Sequence, residues 1–431
     1  MDITSRLLML GSSAGGESYW RLSFPINYTS LYNSANSSHV ASDATGNAYM
    51  FVQVQNGSNR SRNNIIKVSP EGSVLFNGVK QHNGLNLDFI NWITVNASSN
   101  TVYTHEQETD FGNSNGGFLA YNSSLTAQQS KTGLNLTQLG KIYVSPSGSI
   151  VTASEYSSGS ELNLCRLDST LSVLSQRRIT SSGYNFRDTK VAFMTDGKIV
   201  VSTAFSSSFS AYSRLIMCFD SAGTTLLWRV SHNDYTNGQY GDVVVDEFNN
   251  VYSIVGDWQG SAIHIRKYNS SGIRQWARRI SATGALVARA IWHDGKIIVT
   301  GHTSAYSNSS PYNLPFMLAM DDTGALSWNN YLDFGIYAQA ASRSITPAGS
   351  SAFYIPIAYS STAYLYKLPT NGTLAGASSP INYRAGTWTA TTVTPTEGAF
   401  TPTIATPSAT LTNYTTNTWT NVFPTYTLTQ A

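Results

Sequence analysis

A repeat of about 50 residues, present seven times, constrains the fold of this chain more than any other feature. Each copy ends in a tight polar turn between two apolar runs, as in the five residues from Val68 to Gly72 and from Tyr268 to Gly272. The last turn residues are 53, 46, 52, 49, 52 and 48 positions apart: Gly72, Leu125, Leu171, Gly223, Gly272, Gly324 and Gly372. A fixed period of this size in a strand-rich sequence is typical of a propeller or a solenoid.

Each copy also contains an earlier turn, rich in Asp, Asn, Ser and Gly, as at Asp43–Asn47 and Asp246–Asn250. Asp and Asn bond to their own backbone and Gly accepts positive φ, so both kinds of turn predict hairpins. Short runs of Val, Ile, Tyr and Phe separate the turns, and no helical period appears. We therefore predict an all-β protein with four strands in each repeat.

The repeats are expected to close into a ring, because one four-stranded unit cannot bury both of its faces alone. A bulky residue follows the second turn in several repeats, at Phe76, Trp228, Trp276 and Trp328, but Gly376 takes this place in the last one. The segment Ser18–Pro25, with Trp20, supplies a suitable strand. We predict a seven-bladed β-propeller over residues 18–376, closed by this N-terminal strand.

The two ends lie outside the repeat. Residues 1–17 are predicted to form an N-terminal arm, and residues 377–431 a Thr-rich, β-prone C-terminal extension or assembly module. Aromatic residues such as Trp388 and Trp419 argue against a disordered tail. Two interpretations stay open: the extension packs on its own propeller, or it makes contacts between subunits.

Composition excludes several classes of function. The chain has 431 residues, a net charge of +2 and only 12% charged residues without a basic stripe, so nucleic acid is not an expected partner. No apolar run of about 18 residues predicts membrane insertion. The run Leu7–Leu10 is too short for a secretory signal. Cys165 and Cys218 fall one residue out of register between their repeats, which predicts free thiols.

Catalytic and metal motifs are weak. Ser13 lies in a G-x-S-x-G match that lacks the strand and helix of a nucleophile elbow. The seven histidines lack metal-ligand spacing. The carboxylates near turns recur from repeat to repeat, as structural turn residues do: Asp43, Asp196, Asp246, Glu247 and Asp294. Trp228 and Trp328 lie in segments that resemble the tryptophan-docking repeats of quinoprotein dehydrogenases, without vicinal cysteines. We predict no enzyme activity, no cofactor and no metal site.

The segments Tyr240–Gly256 and Ile263–Trp276 resemble the bacterial β-propeller repeat family, in which a Val-Asp strand and a Lys-Tyr strand each precede a turn. The opening Leu7–Gly16 with Tyr19-Trp20 is similar to virion proteins of tailed bacteriophages. This resemblance implies a propeller fold, a location in the virion and assembly in the host cytoplasm. It transfers no functional residues, because the repeat records packing.

The sequence therefore predicts a non-enzymatic structural component of a tailed-phage virion, in the tail as a fibre, nozzle or appendage. Expected partners are other virion proteins and further copies of the same chain, joined through the terminal extensions. The alternatives are a capsid decoration protein or a propeller that binds a host-surface glycan or protein. Loop aromatics would then stack on the ligand, and the candidates are Trp258, Tyr306 and Tyr235.

Overall fold

The structure is a computed structural model, and all of its regular elements are β-strands. It describes residues 6–12, 18–25, 38–56, 60–80, 88–110, 113–125, 127–132, 141–145, 147–155, 161–180, 183–207, 212–232, 238, 240–257, 261–282, 284–303, 314–333, 342–359, 362–373, 382–385, 389–393, 397–398, 403–405 and 412–413. Among these residues, no helix is long and apolar enough to cross a membrane.

The strands form seven antiparallel sheets, the blades of a seven-bladed propeller. Blade 1 consists of β3 (Ser38–Ser42), β4 (Ala48–Asn56), β5 (Arg60–Val68) and β6 (Val74–Lys80). Blade 2 consists of β7 (Asp88–Asn96), β8 (Thr101–Asp110), β9 (Asn113–Tyr121) and β10 (Ala127–Thr132). Blade 3 consists of β11 (Lys141–Val144), β12 (Ile150–Glu155), β13 (Glu161–Leu167) and β14 (Val173–Thr180).

Blade 4 consists of β15 (Asn185–Phe193), β16 (Ile199–Ser206), β17 (Ser213–Phe219) and β18 (Leu226–His232). Blade 5 consists of β19 (Tyr240–Val245), β20 (Val251–Asp257), β21 (Ala262–Tyr268) and β22 (Arg274–Ser281). Blade 6 consists of β23 (Leu286–His293), β24 (Lys296–Thr303), β25 (Leu314–Asp321) and β26 (Leu326–Asp333). Blade 7 takes β27 (Thr346–Pro347), β28 (Ala352–Tyr359) and β29 (Thr362–Pro369) from the last repeat, with β2 (Ser18–Pro25) and β1 (Arg6–Ser12).

The N-terminal segment completes blade 7. Strand β2 pairs with β29, with Leu22 opposite Leu365, and β1 adds a fifth strand outside it. Residues Arg6–Ser12, which the sequence assigned to a separate arm, are thus part of the last blade. Because β2 comes from one end of the chain and β29 from near the other, this pairing joins the two ends of the ring.

The second turns keep one geometry even where the sequence departs from the repeat. Gly72, Gly272 and Gly372 have positive φ, and Leu125 and Leu171 adopt the same left-handed backbone with φ of 59°. The Leu125 N–H donates to the Asn122 carbonyl as the Gly72 N–H donates to the Ser69 carbonyl. A left-handed conformation is unfavourable for leucine, so burial of these two side chains in the core offsets the backbone strain.

Four tryptophans lock neighbouring blades together. The Nε1–H groups of Trp228, Trp276 and Trp328 donate to backbone carbonyls in the second turn of the following blade, at 2.8–2.9 Å. Trp20 makes the same bond to Pro70 of blade 1, 2.9 Å away. The turn glycine leaves room for the ring: a Cβ on Gly372 would lie 2.5 Å from Cδ2 of Trp328.

The C-terminal extension runs around the outside of the ring. Its strands are β30 (Asn382–Ala385), β31 (Ala390–Thr392), β32 (Glu397–Gly398), β33 (Thr403–Ala405) and β34 (Thr412–Asn413). They pair in turn with the outermost strands of blades 6, 5, 4, 3 and 2, always antiparallel. The described part of the extension therefore packs on its own propeller.

Candidate functional site

The first strand of each blade brings side chains to the centre of the ring. Six of these strands carry a large or charged residue four positions before the first turn: His39, Trp92, Lys141, Lys190, Asp242 and Arg289. Arg289 on β23 lies with its guanidinium carbon 4.6 Å from the Trp92 ring centroid and 5.4 Å from that of Tyr143. Blade 6 is not a neighbour of blades 2 or 3, so these contacts cross the axis of the propeller. We call this group the channel cluster.

Asp188 is the hub of the channel cluster. Its carboxylate accepts Lys141 Nζ at 3.2 Å and Arg214 Nη1 at 3.3 Å, and it also pairs with Lys190. The Gly241 N–H of blade 5 donates to Oδ2 at 2.9 Å. A bulge in β15 and a positive φ of 49° at Asp188 turn its side chain toward the neighbouring blades.

A second carboxylate, that of Asp242, joins blades 5 and 6. It accepts Arg289 Nη1 at 2.9 Å and the Ala290 N–H at 2.7 Å, and its side chain is fully buried. Hydrogen bonds to both of its oxygens fix the Arg289 guanidinium over the aromatic rings.

Aromatic rings line the same region. The centroids of Trp92 and Tyr143 are 5.3 Å apart, and His39 lies 5.4 Å from Trp92. Lys141 Nζ is 5.4 Å from the Trp92 centroid. Two cations thus lie close to one indole, an arrangement that stabilises positive charge away from water.

Positive charge exceeds negative charge in the channel cluster. Among the described residues, its cations are Lys141, Lys190, Arg214, Arg289 and Arg343. The carboxylates are Asp188 and Asp242, with buried Glu155 beside Thr189 as a third. Buried Nε of Arg343 has no hydrogen-bond partner among the described residues. A buried donor without a partner is costly, so an acceptor supplied by a ligand would stabilise it.

The protonation states follow from this charge distribution. Burial lowers the pKa of His39 to about 3, and the charges of Arg343 and Lys141 act in the same direction, so the ring is neutral at pH 7. Burial alone would raise the pKa of Asp188, but the charges of Lys190, Lys141 and Arg214 outweigh it and keep the group ionised. Burial lowers the pKa of Lys190 against the attraction of Asp188. At neutral pH the cluster therefore presents neutral imidazole, aromatic faces and guanidinium groups.

The carboxylates that the sequence singled out serve the turns. Asp43 accepts the Asn47 N–H and the Tyr49 hydroxyl, each at 2.9 Å, and Asp246 accepts the equivalent groups of Asn250 and Tyr252. The other three also bond to nearby blade residues, Asp196 to Lys198, Glu247 to Trp292 and Asp294 to Thr370. These five residues do not come together in one site.

The ligand-stacking candidates Trp258, Tyr306 and Tyr235 lie outside the described residues, as does Ser13. Within the described part of the chain, no group of three His, Cys, Asp or Glu side chains could hold a metal ion. Cys165 and Cys218 are buried free thiols, and burial raises the pKa of each to about 12.

Sequence reasoning missed the channel cluster. The available signal was a departure from the repeat: the charged residues Lys141, Lys190 and Asp242 stand at one shared register of the first strands. Which of them meet across the axis could not be read from a repeat of 50 residues, because that depends on ring closure.

The chain matches no protein-family model, and no curated protein matches it. Solved structures with a similar fold include a polysaccharide lyase (11% identity; 86% of this chain and 98% of that one; TM-score 0.48). A second is a gluconolactonase from Xanthomonas campestris (12% identity; 86% and 97%; TM-score 0.38). A third is a β-1,3-galactosidase (11% identity; 63% and 97%; TM-score 0.38). At these identities the likeness concerns the fold alone.

These structures correct one prediction. The sequence repeat was taken to mean that the chain is not an enzyme, and that inference is wrong, because structures of similar fold include a lyase, a lactonase and a galactosidase. A repeat that records blade packing says nothing about the side chains in the channel, where the blades depart from one another. The chain is a seven-bladed β-propeller, and its fold leaves catalysis open.

Proposed function

We propose that this protein is a structural component of a tailed-phage particle, in the tail, and that its propeller binds an anionic saccharide of the host surface at the channel cluster. The observation that carries the binding proposal is the excess of basic over acidic side chains in the channel cluster, where Lys190 and Arg214 are buried and Lys141, Arg289 and Arg343 half-buried. The virion setting rests on the sequence resemblance given above.

Charge balance supports an anionic ligand. Five basic side chains face three carboxylates among the described residues, although burial lowers the pKa of Lys190 to about 7 and leaves it only partly protonated at neutral pH. Arg343 has a buried Nε without a partner among the described residues. Buried charges are expensive unless they are paired, so a carboxylate or sulfate from a ligand would complete the cluster. Guanidinium groups suit such acceptors because they donate two parallel hydrogen bonds.

The aromatic rings support a saccharide over a simple inorganic ion. Trp92 and Tyr143 lie beside Arg289, so ring faces and cations occur within one small region. Sugar rings present apolar C–H faces and acidic substituents together, and a site of this composition matches both. Specific ligand sites in proteins commonly combine aromatic walls with a few converging polar groups.

The binding test compares uronate-bearing and sulfated oligosaccharides with neutral ones of equal length by calorimetry. We expect binding of acidic oligosaccharides only, weakened at least tenfold, or about 1.4 kcal/mol, by Arg343→Gln. Lys198→Gln is the control, since it removes the same charge from an exposed turn. Equal binding of neutral and acidic oligosaccharides, or equal losses in the two variants, would contradict the proposal. The same mixtures are examined for cleavage products, so binding and turnover are scored separately.

Capping of the outer strand edges supports a place in a particle. Unpaired edges invite pairing between copies, and β1 together with β30–β34 covers the outer edges of six blades. A protein held at high local concentration on a virion benefits from such protection. Mass spectrometry of gradient-purified particles, with heads and tails separated, tests the location. We expect the protein in the tail fraction; its presence with heads would indicate capsid decoration, and absence from both would refute the virion role.

A further inference from the structure

One outer edge is left without a partner among the described residues. Six blades have a fifth strand, whereas blade 1 has four, and its outermost strand is β6. Leu75 on this strand is 55% exposed. An uncovered strand edge presents a row of unpaired N–H and C=O groups, which is a template for another strand.

The extension advances by seven residues for each blade. One residue of the extension in each blade lies opposite the same position of the outermost blade strand. From blade 6 to blade 2 the pairs are Arg384 with Tyr331, Thr391 with Arg279, Gly398 with Ser231, Ala405 with Arg178 and Thr412 with Thr132. In blades 6, 5 and 4 the paired blade residue follows the blade-locking tryptophan, which is Trp328, Trp276 or Trp228, by three positions. Blades 3 and 2 have no tryptophan at this position. The strand pairing shows that Ser175 and Gln129 take its place, and the paired blade residues again follow them by three positions. The strands β30–β34 of the C-terminal extension, which we call the belt, therefore contact equivalent positions in five successive blades.

The period has a physical basis. Seven residues span at most about 23 Å, at roughly 3.3 Å per residue, and this sets the longest step that the extension can make between neighbouring blades. The sequence keeps the same phase, with Asn or Thr at 382, 389, 396, 403, 410 and 417. In the sequence, this phase continues to Asn417, beyond Asn413, which is the last described residue.

We propose that residues Thr418–Thr420 of the same chain form the fifth strand of blade 1, antiparallel to Gly78–Lys80, with Trp419 opposite Val79. Trp419 is seven residues after Thr412, and Val79 is three residues after Phe76, which occupies the position of Trp228. The belt has already passed blades 6 to 2 in order, and blade 1 follows blade 2 in the ring.

The same chain is the favoured occupant. Asn413 is fixed at the edge of blade 2, opposite Lys131, so Thr418–Thr420 is held within reach of the neighbouring blade by a short tether. A tether of this length gives a local concentration far above that of any free competitor. A strand from a second copy or from another protein would have to displace it.

Cysteine pairing in the full-length protein tests the register. Val79→Cys with Trp419→Cys should form a disulfide within one chain under mild oxidation. Arg279→Cys with Thr391→Cys is the matched positive control, because it is the equivalent described pair in blade 5. Val79→Cys with Thr415→Cys, four residues out of register, should not form a disulfide. The native thiols interfere little because both are buried and their pKa values are raised.

A mixture of isotopically light and heavy chains distinguishes the occupants. If every cross-linked peptide pair is entirely light or entirely heavy, the proposal is supported. Pairs that join a light and a heavy peptide show that a second copy supplies the strand. Failure of the pair to cross-link, where the blade 5 control succeeds, overturns it.

Hydrogen exchange provides a measurement that needs no cysteine. Slow exchange in part of Phe76–Lys80 should be lost with Trp419→Pro, which removes a backbone donor, and kept with Thr429→Pro. Equal exchange in both variants would also refute the assignment.

Discussion

The carboxylates of the first turns and those of the channel differ in where their partners come from. Asp43 and Asp246 are satisfied within their own blade, by backbone amides of the turn and by a tyrosine hydroxyl. Asp188 and Asp242 instead bind groups from neighbouring blades, including Lys141 of blade 3 and Arg289 of blade 6. Asp43 and Asp246 therefore stabilise turns of their own blades, whereas Asp188 and Asp242 also join neighbouring blades.

We expect substitutions of the turn carboxylates to change folding stability, and substitutions in the channel cluster to change ligand binding as well. Asp43 and Asp246 contribute the same bonds in blades 1 and 5, so their substitution reports on folding. Asp188 holds two cations of its own blade, Lys190 and Arg214, together with Lys141 of blade 3, so its substitution reports on the assembled centre. Changes of pH and of single carboxylates test this distinction through the free energy of unfolding.

Acid should destabilise the interior before it affects the turns. The pKa values of His39 and His105 are lowered to about 3 and that of His302 to about 4, chiefly by burial, against an ordinary value near 6.5. Between the lowered and the ordinary pKa values, the unfolded chain binds more protons than the folded chain does. The free energy of unfolding therefore falls as the pH falls from about 6.5 to 4. Each histidine contributes up to about 1.4 kcal/mol per pH unit in that window.

The turn carboxylate Asp43 changes stability at a lower pH than the buried histidines do. Burial would raise the pKa of Asp43, but hydrogen bonds from Asn47 and Thr45 outweigh it and lower the pKa below its ordinary value. Its stabilisation is complete above about pH 4 and is lost only below it. Urea midpoints at pH 7, 6, 5 and 4.5 give the slope, and His105→Phe should reduce it by about one proton. A flat profile over this range would mean that the histidines are not buried as neutral groups.

Asp188→Asn should be the most damaging single substitution of a carboxylate. Asparagine accepts the left-handed backbone and can still bond to the Gly241 amide, but Lys190, Lys141 and Arg214 lose their counter-charge. Breaking a buried ion pair from one side costs about 3–5 kcal/mol, to be measured by urea unfolding.

The double variant with Lys190→Met serves as the control for Asp188→Asn. It removes one of the uncompensated cations, so it should recover part of the loss, with a coupling energy of about 0.5–3 kcal/mol. Additive losses would show that Asp188 and Lys190 do not interact.

The sequence was sufficient for the architecture because the repeat is local. Turn residues such as Asp246 and Gly272 determine their hairpins within a few positions, and seven copies imply seven blades. The path of the extension was not predictable in this way, since Thr-rich alternation indicates a strand without naming its partner. The channel cluster was also out of reach, because Trp92 and Arg289 meet only through closure of the whole ring.

Asp246→Ala and Asp43→Ala should each cost about 1–3 kcal/mol. Both substitutions remove turn hydrogen bonds and leave a buried tyrosine hydroxyl, that of Tyr252 or Tyr49, without its acceptor. Because the two turns are equivalent, the losses in free energy of unfolding should agree within about 0.5 kcal/mol. Acidic-ligand binding should be unchanged in both variants; weakened binding would mean that the turns and the channel are not separate.

Asp196→Asn should have the smallest effect, within about 0.5 kcal/mol. Its carboxylate is 46% exposed and pairs with Lys198, so water replaces most of what is lost. The backbone bond from the Lys198 amide survives, because asparagine keeps a side-chain oxygen that can accept it. Asp196 and Asp188 lie in the same blade, eight residues apart in sequence, and carry the same charge. If their substitutions had similar effects on the free energy of unfolding, burial among several cations would not be what distinguishes Asp188 from the turn carboxylates.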